Sequence, residues 1–310
     1  MAEPNVPDSE ISEVFPGVHV LTRLLPGFGI EVSSTLILGR SGAVVFDTMC
    51  SPHDLGPVVD IIRSEGSYAR EENWKLWVVY SHGDWDHCLG TAAFAQFRKP
   101  DCDRCVVIAH EEAEKRIREE TQKELEELRK TEPGLVKDAA IILPEMTFKE
   151  EMSVYLDGGF GPEGVDVEDL DNRNARQKRV CDSVSGEIRL IHVPGHTSDS
   201  IVCYVPSRNL LIAGDVAEDP LPSLGEPEHL GKWVDFLETM ADRVKLVIPS
   251  HGKPQGPELL RKNAKYLRGL RGKIVDLDLV LGQLNSEARE FYWKTHRQNI
   301  RCLSGSSTRD

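Results

Sequence analysis

The apolar residues in the first half of the chain come in short runs separated by Gly, Pro or polar residues. Such runs predict β-strands, which we expect at 18–21, 34–38, 43–47, 76–80 and 105–109. Apolar residues at helical spacing over 52–65 predict an amphipathic helix, and a second helix is predicted near 87–97. Residues 111–130 contain no Gly or Pro and many charged residues, which predicts a long, exposed helix.

The second half of the chain repeats this strand pattern. Strands are predicted at 188–193, 201–205, 210–213 and 246–249. Residues 157–184 are rich in Gly, Asp, Asn and Arg and predict a surface loop. The segment from about 257 to 300 has leucines at helical spacing. Strands and helices in this order predict an α/β protein with two sheet-containing halves.

The composition is that of a globular protein. Of the 310 residues, 40% are apolar and 28% are charged, and the formal net charge is −14. This negative charge repels phosphate backbones, so we expect no nucleic-acid partner. No apolar run is long enough to span a bilayer, and the first residues lack the features of a secretion signal. We therefore expect no membrane association and a cytoplasmic location.

The cysteines also indicate a reducing compartment. There are seven, an odd number, scattered through the chain. Cys102 and Cys105 form a CxxC pair, but no second pair follows at zinc-ribbon spacing, so we interpret them as incidental thiols. Cys88 lies beside the polar cluster described next, and we expect it to be a buried apolar residue.

The densest cluster of polar residues follows the predicted strand at 76–80. The sequence Ser-His-Gly-Asp-Trp-Asp-His over 81–87 supplies four potential metal ligands: His82, Asp84, Asp86 and His87. The alternation of a strand would project the first three toward one side. Titratable groups at the end of a buried strand are costly without a partner. The pattern therefore favours a metal site over a structural role.

Three more potential ligands, His196, Asp215 and His251, each follow one of the predicted strands. A single His or Asp at a strand end is usually a capping or solvated residue, so each of them alone would be weak evidence. With the first cluster they supply seven nitrogen and oxygen ligands on four loops. Two borderline metal ions need about that number.

These residues, in this order, resemble the signature of the metallo-β-lactamase-fold superfamily, H-x-H-x-D-H followed by a His, an Asp and a His. The matching residues are His82, Asp86, His87, His196, Asp215 and His251. The resemblance extends over about 14–255. It implies an α/β fold, an αββα sandwich of two mixed β-sheets flanked by helices, with the metals at one edge between the sheets. Asp47 resembles an aspartate that is buried before the first helix in this family.

The resemblance also implies a single domain over 1–310. This domain would carry a helical insertion at about 111–140, a loop insertion at about 157–186 and C-terminal helices at about 257–300. Insertions in this fold typically wall the substrate pocket. Alternatively, these insertions form a homodimer surface or have no functional role.

Asp84 departs from the family pattern, which has its second histidine at this position. By correspondence with the family, each metal would have three ligands of its own, and the two metals would share a fourth. The first metal would be bound by His82, Asp84 and His196, and the second by Asp86, His87 and His251. Asp215 would bridge the two. A carboxylate in place of an imidazole makes the first site harder and more anionic. Zinc is the expected metal, and Asp84 makes iron or manganese the alternatives. The iron-binding flavodiiron branch also has a carboxylate here.

The activity that the resemblance implies is that of a metal-dependent hydrolase. A hydroxide bridging the two metals would attack an ester-like bond of a small molecule, in a lactone, thioester, carboxylic ester or phosphodiester. Asp86 would be the catalytic residue, because it binds the second metal and orients the nucleophile. One alternative is a diiron oxidoreductase related to the flavodiiron branch, which would need a separate electron donor. The other is a non-catalytic binding protein that keeps the fold.

Overall fold

The structure is a computed structural model of the chain. It describes residues 9–65, 74–98, 104–156, 184, 186–272 and 275–305. The loop predicted at 157–184 lies outside the described residues except for Val184, and Cys102 of the CxxC pair also lies outside them. No helix in these described ranges is both long enough and apolar enough to cross a membrane.

The first sheet is formed by the N-terminal part of the chain, and its seven strands lie in sequence order. They are β1 (Glu10–Phe15), β2 (Val18–Leu25), β3 (Ile30–Leu38), β4 (Gly42–Phe46), β5 (Lys75–Val79), β6 (Cys105–His110) and β7 (Met146–Phe148). Strands β1 to β4 pair antiparallel, whereas β4 to β7 run parallel. The parallel strands therefore end at one edge of the sheet, where Phe46 lies opposite Val79.

The second sheet contains five strands in the order β12-β11-β10-β9-β8. They are β8 (Glu151–Tyr155), β9 (Glu187–His192), β10 (Ile201–Val205), β11 (Leu210–Gly214) and β12 (Leu246–Pro249). Strands β8 to β11 pair antiparallel, and β11 and β12 run parallel. Both sheets are therefore mixed.

Helices cover the outer faces of the sheets and connect their strands. They are α1 (Gly56–Glu65), α2 (Trp85–Cys88), α3 (Ala113–Arg116), α4 (Gln122–Thr131), α5 (Leu230–Ala241), α6 (Glu258–Gly272), α7 (Leu277–Leu281) and α8 (Ser286–Leu303). A π-helical turn, Ile117–Thr121, joins α3 to α4, so the chain is helical without a break from 113 to 131. Shorter 3-10 turns are formed by Pro52–Leu55, Thr91–Phe97, Pro206–Arg208 and Pro227–His229.

Strands that are buried on both faces send neighbouring residues into different parts of the core. In β4, Val44 and Phe46 belong to the cluster between the sheets, which includes Ile201 and Ile212 of the second sheet. Val45, between them, belongs to the cluster that packs against the helices. This arrangement is an αββα sandwich, and the predicted fold class is confirmed.

All nine predicted strands correspond to observed ones, but the sequence did not indicate β1, β7, β8 or helix α5. The three missed strands are mostly exposed, so they lack the apolar runs on which strand prediction depends. The helix predicted near 87–97 is instead the short α2 followed by the 3-10 turn Thr91–Phe97.

The helix predicted at 111–130 is present, but the expectation that it is simply exposed is wrong. Ala113, Ile117, Thr121 and Leu125 are buried. Their spacing of four residues places them along one face of the helical segment. This face packs onto the body of the protein, and the charged residues occupy the remainder of the surface.

Candidate metal centre

Four strand ends meet at one edge between the sheets, and a candidate ligand follows each of them. β5 leads through a short loop into α2, which carries Asp86 and His87. Asp215 and His251 follow the parallel strands β11 and β12 within two residues, and His196 lies in the turn between β9 and β10. The parallel pairing of β11 and β12 explains why Asp215 and His251, which are distant in the sequence, reach the same place.

The loop after β5 is joined closely to the second sheet. The backbone N–H of Ile201 donates to the carbonyl of Ser81 at 2.7 Å, and the N–H of Gly83 donates to Asp199 Oδ2 at 2.8 Å. Gly214 has a φ of +54°, and a Cβ there would lie 2.7 Å from the Cβ of Ser81. A residue with a side chain would be strained in that backbone conformation and would collide with Ser81.

The first group of ligand atoms comes from His82, Asp84 and His196. Asp84 Oδ2 lies 3.4 Å from His82 Nε2 and 3.5 Å from His196 Nε2. One ligand atom from each residue lies within 4.8 Å of the others. His82 is buried, whereas the side chain of Asp84 remains 23% exposed.

The second group comes from Asp86, His87 and His251. Asp86 Oδ1 lies 3.5 Å from His87 Nε2, and Asp86 Oδ2 lies 3.4 Å from His251 Nε2. All three residues are buried, and their ligand atoms also lie within 4.8 Å of one another. Each group therefore combines two imidazoles with one carboxylate.

Asp215 lies between the two groups. Its Oδ2 is 3.9 Å from His82 Nε2, 3.5 Å from His87 Nε2, 3.6 Å from His196 Nε2 and 3.3 Å from His251 Nε2. A single carboxylate oxygen thus faces all four imidazoles. This position is the one that a shared ligand of two neighbouring cations would occupy.

Hydrogen bonds on the Nδ1 side, to groups outside the centre, fix the orientation of the histidine rings. Their Nδ1 atoms donate as follows: His87 to Asp47 Oδ2 at 2.9 Å, His251 to the carbonyl of Glu31 at 2.7 Å and His196 to the carbonyl of Ser223 at 3.2 Å. Because the proton is on Nδ1, the Nε2 lone pair of each ring points toward the other ligands. His82 Nδ1 pairs with Ser81 Oγ at 2.9 Å.

The unpartnered atoms show that these residues fit metal ions. Among the described residues, Nε2 of His82, His87 and His196 and Oδ1 of Asp215 are buried without a hydrogen-bond partner. Leaving such atoms unpaired is costly. The separations of 3.3–3.9 Å around Asp215 Oδ2 suit ligands that surround a cation at bond lengths of about 2.0–2.2 Å.

The electrostatics of the cluster also favour cations. Burial alone would lower the pKa of His196, but the nearby carboxylates of Asp84 and Asp215 raise it to about 9. Burial likewise opposes the charged form of His251, and the charge of Asp215 with its hydrogen bond raises this pKa to about 10. The carboxylates thus create a negative potential at the imidazoles, which favours a proton or a metal ion at the centre.

All seven residues singled out in the sequence come together at this edge. One detail of the prediction is wrong, since Asp86 does not join the side that His82 and Asp84 share. The strand ends at Val79 and the chain enters α2 at Trp85, so strand alternation sets the direction of none of these three side chains. Cys88 is buried as predicted, its thiol donates to the Gly83 carbonyl at 3.7 Å, and burial raises its pKa.

Two charged residues beside the centre were missed by the sequence analysis. Glu218 is buried, accepts a hydrogen bond from the Ser223 N–H at 3.2 Å and lies within ligand distance of His196 and Asp215. Burial and the charge of Asp215 raise the Glu218 pKa to about 7. Arg116, from α3, pairs with Asp84 at 2.6 Å. Its helix lies far from the motif in the sequence, and no local pattern indicates the contact.

An αββα sandwich with clustered His and Asp side chains at one edge defines a class of metal-binding proteins. A sequence model described as the metallo-beta-lactamase superfamily matches residues 28–251. The chain therefore belongs to the metallo-beta-lactamase superfamily.

Solved structures show the same fold at low identity. A metallo-beta-lactamase from Pontibacter korlensis is 18% identical with a TM-score of 0.54, over 84% of this chain and 99% of that one. The metallo-beta-lactamase FIM-1 from Pseudomonas aeruginosa, in its mono-zinc form, is 16% identical with a TM-score of 0.53, over 88% and 100%. The stereoselective inverting sec-alkylsulfatase Pisa1 from Pseudomonas sp. is 16% identical with a TM-score of 0.59, over 96% of this chain and 50% of that one.

Proposed function

We propose that the protein is a metal-dependent hydrolase with two divalent metal ions. The first would be held by His82, Asp84 and His196, the second by Asp86, His87 and His251, and Asp215 would be shared. The observation that carries the proposal is the convergence of buried, unpartnered Nε2 atoms on one oxygen of Asp215. Without cations this arrangement leaves several buried polar groups unsatisfied. Zinc is the proposed metal because imidazole nitrogens outnumber carboxylates in both groups.

When bound, the two cations would supply a water of lowered pKa as nucleophile and would polarise the bond to be cleaved. Asp86 is suited to orient this water, since its carboxylate lies between His87 and His251 and keeps 11% of its side-chain surface exposed. Asp47 and the Glu31 carbonyl hold the His87 and His251 rings in place behind it. We therefore assign Asp86 the catalytic role and the histidines the role of fixed ligands.

The proposed substrate is a small molecule with an ester-like bond. Lactones, thioesters, carboxylic esters and phosphodiesters are the classes that such a nucleophile attacks. The similarity to a sec-alkylsulfatase adds sulfate esters to this range. The net charge of −14 disfavours polyanionic substrates such as nucleic acids.

Asp84 favours one second candidate, a diiron oxidoreductase. With a carboxylate at this position, the first group is a harder set of ligands than three imidazoles would be. Harder ligands favour iron or manganese over zinc. This activity would require electrons from a separate donor protein. The experiment described next distinguishes this activity from hydrolysis.

The test begins with protein purified without chelators and reconstituted with zinc, manganese or iron. Elemental analysis should find two metal ions per chain, and at least one of the five ester classes should be hydrolysed. Asp86→Ala should lower this rate by orders of magnitude, whereas Asp60→Ala, on the exposed face of α1, should not. Reductant-dependent turnover under air without hydrolysis would favour the oxidoreductase. Failure of wild type to bind more than one ion with any of the metals would overturn the two-metal proposal.

We also propose that the protein works in the cytoplasm. Cys50, Cys88, Cys105, Cys203 and Cys302, the cysteines among the described residues, are all free thiols. Reduced thiols of this number are typical of a reducing compartment.

A further inference from the structure

Arg116 reaches the candidate metal centre from helix α3 and contacts one oxygen of Asp84. Its Nε donates to Asp84 Oδ1 at 2.7 Å, and its Nη2 lies 2.6 Å from the same atom. The other oxygen, Oδ2, faces His82 Nε2 at 3.4 Å and His196 Nε2 at 3.5 Å. The two oxygens of this carboxylate thus have separate partners: one faces the guanidinium and the other faces the metal ligands.

The helical segment that carries Arg116 is seated firmly on the loop after β5. A Cβ on Gly83 would lie 3.1 Å from Ile117 Cγ1 and 3.3 Å from Arg116 Cβ, so the segment packs against bare backbone. The hydroxyl of Thr121 donates to the Gly83 carbonyl. Both Ile117 and Thr121 are fully buried. The π-helical turn between 117 and 121 belongs to this contact.

Arg116 itself is held in place. Its third nitrogen, Nη1, pairs with Glu120 Oε2 at 3.2 Å, one turn further along the segment. Although burial opposes its charge, Asp84 raises the pKa of the guanidinium further above its ordinary value, so the group stays charged. The side chains of Arg116 and Asp84 keep only 24% and 23% of their surface exposed. Such a partly buried ion pair, with one hydrogen bond and a second nitrogen in contact with the same oxygen, is more than a solvated surface contact.

The charge at this position matters because Asp84 stands where the superfamily signature has an imidazole. An unpaired carboxylate adds a negative charge and can bind through two oxygens. Both properties favour harder metals that accept more ligands. A carboxylate with one oxygen occupied and its charge offset resembles an imidazole in binding through a single atom.

We propose that Arg116 is a positioning residue that restricts Asp84 to a single-oxygen ligand of the first metal and offsets its charge, so that this site selects zinc over harder metals such as manganese. The inference rests on the proposed two-metal centre. It assigns the helical segment a role in the metal chemistry, beyond covering the sheet.

The variants Arg116→Gln and Arg116→Lys test this inference. Arg118→Gln is the matched control. Arg118 lies on the same segment, is 59% exposed and, among the residues that the structure describes, forms its ion pair with Glu114. Zinc affinity is measured for each site by competition with a chromophoric chelator, and the selectivity for zinc over manganese by competition between the metals. Arg116→Gln should lower the selectivity for zinc over manganese at one site by about 10–100-fold, the size of effect that outer-shell substitutions typically have, and leave the other site unchanged.

Cobalt substitution gives a readout that is independent of turnover. Freeing Asp84 Oδ1 allows a second oxygen to bind, which raises the coordination number and weakens the visible absorption of Co²⁺ at that site. Arg116→Lys keeps the charge but loses the two-nitrogen contact, so it should fall between wild type and Arg116→Gln. The control should match wild type in both measurements.

A double-mutant cycle with Asp84→His separates positioning from general structural damage. An imidazole at 84 binds through one atom without help, so Arg116→Gln should have little further effect on the selectivity for zinc over manganese in that background. An equal loss of selectivity in both backgrounds would overturn the inference, as would an unchanged selectivity and cobalt spectrum in Arg116→Gln alone. These outcomes are read only on a wild-type protein that binds two ions. A wild type that does not bind them would instead refute the proposed function.

Discussion

The carboxylate of Asp47 accepts a hydrogen bond from Nδ1 of His87 at 2.9 Å, across 40 residues of sequence. Its two oxygens also accept from the Ser81 N–H at 2.7 Å and the Ser250 hydroxyl at 3.1 Å. Asp47 is fully buried and has a φ of 63°. One side chain thus joins the ends of β4, β5 and β12 and fixes the orientation of a ligand on α2.

Replacing Asp47 with Asn should weaken metal binding at the second site. Asn also adopts the left-handed conformation, so the backbone tolerates the change, but an amide is a weaker acceptor for the His87 N–H. We expect zinc affinity at one site to fall by about 10–100-fold, measured by chelator competition. The exposed substitution Asp60→Asn is the control. Unchanged affinity at both sites would mean that Asp47 serves only the packing of the strands.

The ligands could be predicted from sequence because each follows a short apolar strand, and the parallel strands β11 and β12 bring two of them to one edge. The motif at 81–87 and the single residues His196, Asp215 and His251 all have this local signal. The outer strands β1 and β8 could not be predicted in this way. Their exposed residues lack an apolar pattern, and pairing with a neighbouring strand determines them.

Arg116 shows why the surroundings of the ligands escaped prediction. Its sequence context is charged throughout, and its partner Asp84 is 32 residues away. The stripe Ala113, Ile117, Thr121, Leu125 was a signal that one face is buried. It does not reveal what the face packs against. Contacts between distant elements depend on the tertiary arrangement and leave no periodicity in the sequence.

Loss of Asp215 should affect both metals, because its Oδ2 faces the imidazoles of both groups. We expect Asp215→Ala to retain fewer than half of the metal ions that wild type retains after dialysis, measured by elemental analysis. Asp235→Asn, at an exposed position of α5, should retain them all. Selective loss from one site, with the other fully occupied, would show that Asp215 belongs to a single metal.

Gly195→Ala should destabilise the turn that presents His196. A Cβ at 195 would lie 2.3 Å from the ring of Trp233. This ring is fully buried and donates to the Val216 carbonyl at 2.9 Å, so it has no room to move. Overpacking of this kind costs about 1–3 kcal/mol of unfolding free energy, measurable by denaturant unfolding of the zinc-loaded protein.

Gly231→Ala is the control for that substitution, since nothing lies within 4 Å of a Cβ at this position of α5. It should be neutral or stabilising, by up to about 1 kcal/mol, because Ala is the better helix former. Equal effects of the two substitutions would contradict the steric explanation.

The stacked pair His110 and His192 should make stability depend on pH. The rings lie 3.8 Å apart and nearly parallel, and His110 Nδ1 accepts the Glu112 N–H at 3.3 Å. Burial and the charge of His192 lower the pKa of His110 below 6.5, against the opposing effects of a hydrogen bond with the Lys149 backbone and of the charges of Asp199 and Glu112. The unfolded chain therefore binds a proton at a pH where folded His110 does not. This contribution to the unfolding free energy is present above pH 6.5 and is lost as the pH falls from there.

His110→Gln removes this titration, so the difference in unfolding free energy between wild type and variant should shrink below pH 6.5. The slope should not exceed about 1.4 kcal/mol per pH unit. This difference is measured by denaturant unfolding between pH 5 and 8, with both proteins at the same zinc concentration. Any effect of metal release that the two proteins share cancels in the difference. His229→Gln, in the turn Pro227–His229, is the control. It tests whether the pH dependence changes on removal of any histidine or only on removal of His110. A wild-type advantage that stays constant or grows toward low pH would show that His110 is not the residue responsible.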